Sequence, residues 1–410
     1  MIGGGPAGST AAALLAREGH DVVMLEKEAH PRFHIGESLL PRNLAVFDRL
    51  GLRAAVDRIG VYKPGAEFVC DRTGRSVTFA FADGVDRNYT HAYQVRRDDL
   101  DALLFANARD KGARTAERTR VTDVAFSPGG RARVTALGAN GDTILYAPRL
   151  VLDASGRDTF LASRSGEKQA DKRNNTAAAF AHYRGVECRT DARAGCITVH
   201  LAEDGWFWLI PLPDEVMSVG FVGTQAAFKR RGASLDAFLD ERIRHSPSVS
   251  ARMRDAERTS ETWGAANYSY RATSAWGDGY LMIGDAFGFV DPVFSSGVLL
   301  AMRAGELGAD AAGAWLDDPA LGRRMARRME RQLRGAMDTL GWLIYRINEP
   351  VLRELFMAPR NTLNMRAGLV SMLAGNFGSG ARMPRLPVAA FKSVYYTVSL
   401  LRLLGVRVAV

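Results

Sequence analysis

Cysteine is scarce in this chain. Only Cys70, Cys188 and Cys196 occur in 410 residues, with no C-x-x-C pair and no even framework. That excludes a disulfide-stapled fold and a cysteine-built metal site, and it fits reduced thiols in a cytoplasmic protein. Long apolar runs are missing too: no uncharged stretch reaches the roughly eighteen residues that would suggest a membrane span. The chain opens on a glycine loop, not on a secretory segment. Acidic residues are in modest deficit, 45 against 54 Lys and Arg, and the formal charge of +9 favours acidic partners only weakly. Internal repeats, low-complexity tracts, metal-ligand clusters and nucleic-acid motifs are absent. What remains, 47% hydrophobic and 24% charged residues, suits a globular protein of two or three modules around a large core.

The richest local signal lies at the start. Ile2-Gly3-Gly4-Gly5-Pro6-Ala7-Gly8, followed by Ser9 to Ala16, reads as a strand end, a glycine turn and an alanine-rich helix. Gly3 and Gly5 let the backbone turn tightly and approach a pyrophosphate, and Gly8 lets helix and strand pack closely. Pro6 and Ala7 open the helix whose N-terminus receives the negative charge. Asp21-Val22-Val23-Met24-Leu25-Glu26 then reads as a buried strand ending in an acid about twenty residues on, where Glu26 is placed for a ribose hydroxyl. Together these elements specify a dinucleotide site, for NAD or FAD. Only Met1 and Ile2 precede the glycines where about five strand residues are expected. The first strand is therefore expected to be truncated or to begin upstream of Met1.

Later segments are less specific one by one. Arg97 stands near the start of a helix opened by Gln94 to Asp101, where a surface ion pair is its ordinary role. Asp285 ends the apolar strand Tyr280 to Ala286 and equally suits a helix cap. Pro31-Arg32-Phe33-His34-Ile35-Gly36-Glu37-Ser38-Leu39-Leu40-Pro41 is too polar and proline-bounded for a helix and reads as an ordered crossing loop, with His34 a structural histidine on local pattern. Lys63 precedes a Pro-Gly turn, where most lysines are solvated. In Trp206-Phe207-Trp208-Leu209-Ile210-Pro211, alternation puts Trp206, Trp208 and Ile210 on one sheet face. Two indoles so close form either a core strand or the lining of something. Asp291 to Val298 leads into an apolar helix whose first amides make an anion site, a geometry that a serine N-cap shares.

Taken together these segments resemble the flavin-dependent halogenases, within the flavoprotein monooxygenase superfamily of aromatic-hydroxylase fold, from Ile2 to about Ala312. The resemblance rests on the glycine loop, the Gly36-Glu37-Ser38 strap, Lys63 with Gly65-Ala66-Glu67-Phe68, the Trp206-x-Trp208-x-Ile210-Pro211 strand and the Ser295-Ser296-Gly297 turn. It implies an α/β fold: a Rossmann-like FAD-binding domain, an antiparallel β-sheet substrate domain and a helical C-terminal region. The expected boundaries are 1–60, 94–165 and 264–315 for the first, 61–93 and 166–263 for the second, and 316–410 for the third. It implies that Gly3, Gly5, Pro6, Ala7, Gly8, Glu26, Ser38, Arg97, Asp285 and Gly297 contact FAD. By the same resemblance Ser296 and Gly297 hold chloride or bromide, and Lys63, Trp206 and Trp208 carry the chemistry.

The implied reaction is oxidation of halide to hypohalous acid by a peroxyflavin. The tryptophans wall the flavin off from the aromatic substrate, and Lys63 meets the oxidant on the far side by hydrogen bonding or as a haloamine. Only one nucleotide fingerprint is found, so reduced flavin is expected from a separate flavin reductase. One departure narrows the substrate. Tryptophan-specific halogenases carry a glutamate where Phe294 stands, which favours a phenolic or pyrrolic substrate, free or borne on an acyl or peptidyl carrier protein. The alternatives on the same fold are an aromatic hydroxylase or epoxidase, a prenyl or polyene reductase, and a non-catalytic carrier-binding relative.

Strands are expected at Thr176–Val186, Gly195–Leu201, Trp206–Pro211 and Glu215–Gly223, separated by glycine and proline. From about 316 the pattern turns helical, with Leu321, Met325, Met329 and Leu333 recurring every four residues and arginines on the other faces. That basic helix is a solvated surface or a dock for an acidic carrier. Phe391 to Leu404 is expected to close the substrate cavity or to touch a membrane surface.

Overall fold

The computed structural model describes the chain except residues 128–130, 172–175, 230, 231, 233, 267, 268, 348, 360, 378–384 and 407–410. Two sheets organise it. The first is a short parallel layer in which Val23–Leu25 pairs with Arg114–Ala116, and Val151–Asp153 pairs with Tyr280–Met282. Ile2 joins the two pairs by bridging both Leu25 and Asp153. The strand expected to be short is thus a single bridging residue, with Ile2 N donating to Leu152 O at 2.9 Å and Gly3 N to Leu25 O at 2.8 Å.

The glycine turn then enters the helix Pro6–Arg17. This helix lies so close to the turn that a Cβ at Gly8 would stand 2.1 Å from Gly3 O. Any side chain there forces the turn and the helix apart. The alanine face of the helix is buried, and it packs against the long helix Gly297–Asp317.

The second sheet has eight strands. In spatial order they are Glu257–Arg258, Thr176–Arg184, Met217–Thr224, Gly205–Pro211, Ile197–Leu201, Gly65–Cys70 and Ser76–Ala80, with Trp263–Ala266 also paired to Thr176–Arg184. All pairings are antiparallel except that of Ile197–Leu201 with Gly65–Cys70. Alternation sorts its residues as period two requires. Phe207 and Leu209 face a separate core with Phe221, Phe238 and Leu239, covered by the helix Leu235–His245. Trp206, Trp208 and Ile210 face the main core on the opposite side.

The parallel layer draws its strands from the segments expected to bind nucleotide, and the large sheet from those expected on the substrate side. Trp263–Ala266 straddles the expected boundary at 263/264. One buried cluster runs through residues of all three expected segments, from Ala7 to Tyr395.

The C-terminal segment holds the helices Pro319–Arg346, Pro350–Met357, Met365–Leu373 and Arg385–Leu403. A repeat of four drifts around a helix of 3.6 residues per turn, so Leu321 is exposed while Met329 and Leu333 are buried, and the buried face continues through Ala336, Met337 and Leu340. Its arginines are not uniformly solvated: Arg334 donates to Thr273 O at 2.7 Å. In the last helix Phe391 and Tyr395 pack against Trp342, whereas Leu400 and Leu403, with Leu404 just beyond its end, face outward. Among the described residues, no helix is long and apolar enough to cross a membrane.

Gly8→Ala is expected to destabilise the fold by about 1–3 kcal/mol through overpacking and to weaken FAD retention, because the displaced atom belongs to the turn itself. Urea unfolding and flavin absorbance after desalting check the two effects together.

Candidate functional site

A cavity of about 810 Å³ runs between the two sheets, within the size range of cofactor pockets. At one end it is lined by Gly3, Gly5, Pro6, Ala7 and Glu26. Gly8 does not reach it; its role is the close packing described above. Glu26 is buried with both oxygens engaged, Oε2 accepting from Gly4 N at 2.8 Å and Oε1 from Glu28 N at 3.0 Å. The acid that ends the strand therefore also holds the glycine turn in shape.

Arg97 opens the helix Arg97–Asp110 and lines the cavity from behind the crossing loop. Its guanidinium is clamped by Asp101 at 2.9 and 3.0 Å, and Nη1 donates to Ile35 O at 2.6 Å. The surface ion pair expected on local pattern is in fact a buried one that pins the loop. Asp285 lies in a 3₁₀ turn after its strand and lines the cavity. It is half-buried, and desolvation pushes its carboxyl up to about 6 despite the opposing pull of Arg157 and Arg97.

The loop Pro31 to Pro41 crosses the cavity, contributing His34, Ile35, Gly36, Glu37 and Ser38 to its lining. It is held like an extra edge strand: Val95 N donates to Glu37 O at 2.8 Å and Leu39 N to Tyr93 O at 3.0 Å. Trp206, Trp208 and Ile210 line the facing wall. The indoles lie 5.9 Å apart at 51°, and Trp208 Nε1 donates to Ser218 Oγ at 3.1 Å, which satisfies the polar handle of a buried ring. Gly220 makes room, since a Cβ there would stand 2.2 Å from the Trp208 ring.

Lys63 ends the strand Gly60–Lys63 and is 1% exposed. It does not line the cavity. Its Nζ donates to Ser38 Oγ at 2.8 Å and to Leu39 O at 2.7 Å, and lies 5.4 Å from the Phe81 ring. The lysine thus stands one hydrogen bond behind the cavity wall, with Ser38 as the shared partition. Burial pushes its ammonium down to about 7.

At the third wall, Ser295 takes a left-handed φ of 57° and the helix Gly297–Asp317 begins two residues later. Ser295 and Gly297 line the cavity. Ser296 occupies the N-cap position without a capping hydrogen bond, and its hydroxyl is buried with no partner among the described residues. Of the pair expected to hold halide, Gly297 therefore faces the cavity and Ser296 does not; Ser295 takes its place on the lining. The left-handed turn that decides this has no signature in a serine pair. Phe294 packs with Phe68 and Phe356, and Phe79 closes the same aromatic cluster.

Sequence reasoning missed His182, whose Nε2 meets Glu37 Oε1 at 2.8 Å. The signal available was the period-two pair Phe180 and His182 on an inward face.

The family model for tryptophan halogenase matches residues 1–89 and 82–349. The chain belongs to the tryptophan halogenase family. Among its relatives, the tryptophan 2-halogenase of Chondromyces crocatus is 34% identical over 316 residues, which cover 75% of this chain and 59% of that protein. The 1H-pyrrole-2-carbonyl-[peptidyl-carrier protein] chlorinase of Pseudomonas fluorescens is 28% identical over 93% of this chain and 90% of its own. Among solved structures, a flavoprotein/dehydrogenase from Cytophaga hutchinsonii superposes with a TM-score of 0.87 at 26% identity, over 97% of this chain and 98% of that one. The myxobacterial chondrochloren halogenase, described as a variant of FAD-dependent halogenases, gives 0.79 at 30% identity over 95% of each chain. The fold is that of the FAD-dependent halogenases.

The lysine carries a prediction of its own. With the Lys63 amine at about 7 in the fold against an ordinary 10.5, the unfolded chain binds the extra proton between those values. Stability then rises with pH from about 7 toward 10, by at most about 1.4 kcal/mol per unit. Lys63→Met is expected to lack that slope, and parallel urea titrations of the two proteins from about pH 6 to about pH 9 measure the difference.

Proposed function

We propose that the chain is an FAD-dependent halogenase acting on an electron-rich phenolic or pyrrolic substrate. The observation that carries this reading is the relation of Lys63 to the cavity. A fully buried amine, brought to about 7, stands directly behind the strap, and Trp206 and Trp208 line the wall of the cavity that faces the strap. A hydroxylase needs its substrate against the flavin; here two indoles line that face.

The residues present fit FAD. Gly3, Gly5, Pro6 and Ala7 offer a helix N-terminus to its pyrophosphate, with Glu26 beside them, and Arg97, Asp285, Ser38 and Gly297 border the remainder of the cavity. Bound in its reduced form, FAD supplies the oxygen activation by which halide becomes hypohalous acid. The chain's own residues place and exclude. The amide of Gly297, with Ser295 and Ser296 beside it, holds chloride or bromide at a helix start. Trp206 and Trp208 keep organic substrate from the cavity while a small oxidant passes. Lys63 receives that oxidant, and its unprotonated fraction at neutral pH supplies a lone pair for the halogen.

Phe294 supports the phenol and pyrrole assignment. It offers a ring packed on Phe68 and Phe356, and not a carboxylate, at this position, so a substrate ring that needs a base from there to lose its proton is poorly served. The carrier-bound pyrrole named for the Pseudomonas relative supports a carrier protein as the vehicle. A separate flavin reductase is proposed as the source of reduced flavin, on the strength of the single nucleotide fingerprint, and a cytoplasmic location accords with three free cysteines.

With FAD, a flavin reductase, NADH, oxygen and bromide, wild type is expected to brominate a phenol probe and monochlorodimedone. Lys63→Ala should lose phenol bromination by about 100-fold or more while FAD binding persists. Trp206→Ala combined with Trp208→Ala should admit the probe and yield hydroxylated product. Hydroxylation by wild type without halide dependence would defeat the reading.

A further inference from the structure

The halogenase reading leaves one reactant without a source. Oxidation of halide by reduced flavin and oxygen balances as FADH2, O2, halide ion and one proton giving FAD, hypohalous acid and water. Halide loses two electrons, one oxygen atom goes to hypohalous acid and the other to water, and the proton is consumed stoichiometrically. The site must bring that proton to the flavin cavity.

Glu37 and His182 stand where such a proton would pass. Glu37 is 1% exposed and lines the cavity from the strap. Its Oε1 meets His182 Nε2 at 2.8 Å, and its Oε2 is buried with no partner among the described residues. A carboxyl oxygen left so is costly to desolvate and calls for a partner that these residues do not supply. The strap holds it rigidly there, since Glu37 O accepts from Val95 N at 2.8 Å. The preceding Gly36, at φ +115°, is wedged so that an added Cβ would lie 2.8 Å from Arg97 Nη1 and 3.6 Å from Val298 Cγ2. Val298 follows Gly297 directly, so the strap passes Glu37 alongside the amides proposed for halide.

His182 forms the outer half. It lies on the strand Thr176–Arg184 in register with Ser218, which in turn pairs with Ile210 of the tryptophan strand. Its ring is held edge-on to Phe33 at 5.7 Å and Trp263 at 5.3 Å, and Ser260 Oγ accepts from its backbone N–H at 2.9 Å. At 9% exposure the ring still meets water. The titratable and charged groups facing the Glu37 carboxyl are His182 from the sheet and Arg97 from its helix; His34 and Asp285 line the same cavity.

We propose that His182 and Glu37 form a proton relay into the flavin cavity, on which the halogenase reaction draws the proton that it consumes. His182 takes a proton from water and passes it through Nε2 to Oε1. The carboxyl, carried on the strap that borders the cavity, then releases it toward the flavin side. Halide bound nearby adds a like charge, which favours the protonated carboxyl, so halide binding loads the relay before oxygen reacts. The relay rests on the halogenase reading, and the test separates the two.

Bromide is added to oxidised holoenzyme in weakly buffered solution with a pH indicator dye, and bound bromide is followed by quenching of flavin fluorescence. Wild type is expected to take up a proton as bromide binds, and Glu37→Gln to bind bromide without uptake. In single turnovers of reduced holoenzyme with oxygen and bromide, trapped hypobromite should form about 100-fold more slowly in Glu37→Gln and about 10-fold more slowly in His182→Gln. Bromide binding to wild type without proton uptake, equal uptake by Glu37→Gln, or wild-type hypobromite rates in either variant would each overturn the relay. Should Glu37→Gln fail to retain flavin, His182→Gln decides alone, since it leaves the strap carboxylate in place. A wild-type protein that makes no hypobromite defeats the underlying halogenase reading instead, whatever its proton count.

Discussion

The hydrogen bonds from Lys63 to Ser38 Oγ and Leu39 O, at 2.8 and 2.7 Å, join the two halves of the site. Lys63 belongs to a strand that pairs with Ala92–Val95, and Ser38 to the strap laid across the cavity. A buried ammonium is expensive to desolvate, and two acceptors with the face of Phe81 offset only part of that cost. The amine consequently sheds its proton near neutrality, and the strap gains a fixed anchor. Ser38, Glu37 and Gly36 can therefore border the cavity with defined side-chain directions, although the segment contains neither helix nor extended strand. Arg97 anchors the other end of the strap through Ile35 O, so a buried basic side chain grips the loop on each side of Glu37.

Facing the strap, the tryptophan strand behaves as a partition with two chemically different faces. Phe207 and Leu209 are ordinary core under a helix. Trp206 and Trp208 are equally buried yet line a cavity. Burial alone does not distinguish the two roles; what distinguishes them is the void on one side. Gly220 shows that the sheet was adapted to the ring. The strand beside the indole lacks a side chain where one would collide with it, so the Trp208 position is set by the backbone of its neighbour and not by rotamer preference alone.

Much of this was legible in the sequence because the signals were local. The glycine turn, its helix and Glu26 are one contiguous unit, and close approach demands glycine at Gly8. The indole pair is a period-two pattern that a strand must place on one face. What stayed hidden depends on distant partners or on backbone choice. Glu37 and His182 are 145 positions apart, and neither carries a local mark of the other. Ser295 and Ser296 look equivalent as letters, but a left-handed φ at Ser295 turns one toward the cavity and buries the other. The arginine of the helix start looked like a surface ion pair because nothing nearby announces that a loop from residues 31 to 41 will cover it. In the helix Pro319–Arg346 the four-residue repeat was real, and the 3.6-residue turn carried it off the buried face.

The perturbed groups share one physical cause, and that cause bears on the chemistry. Desolvation is the largest influence on both Lys63 and Asp285, moving the amine down to about 7 and the carboxyl up to about 6. Each shift moves its group toward the neutral form, as expected where water is scarce. Scarcity of water serves a halogenase in two ways. It leaves an amine with an available lone pair at neutral pH, and it removes the solvent shell through which a small oxidant would otherwise diffuse away. It also cuts the supply of protons to a reaction that consumes one. The proton that the reaction consumes still has to reach the cavity, and Glu37, a buried carboxyl on the cavity wall in contact with the partly exposed His182, is suited to carry it.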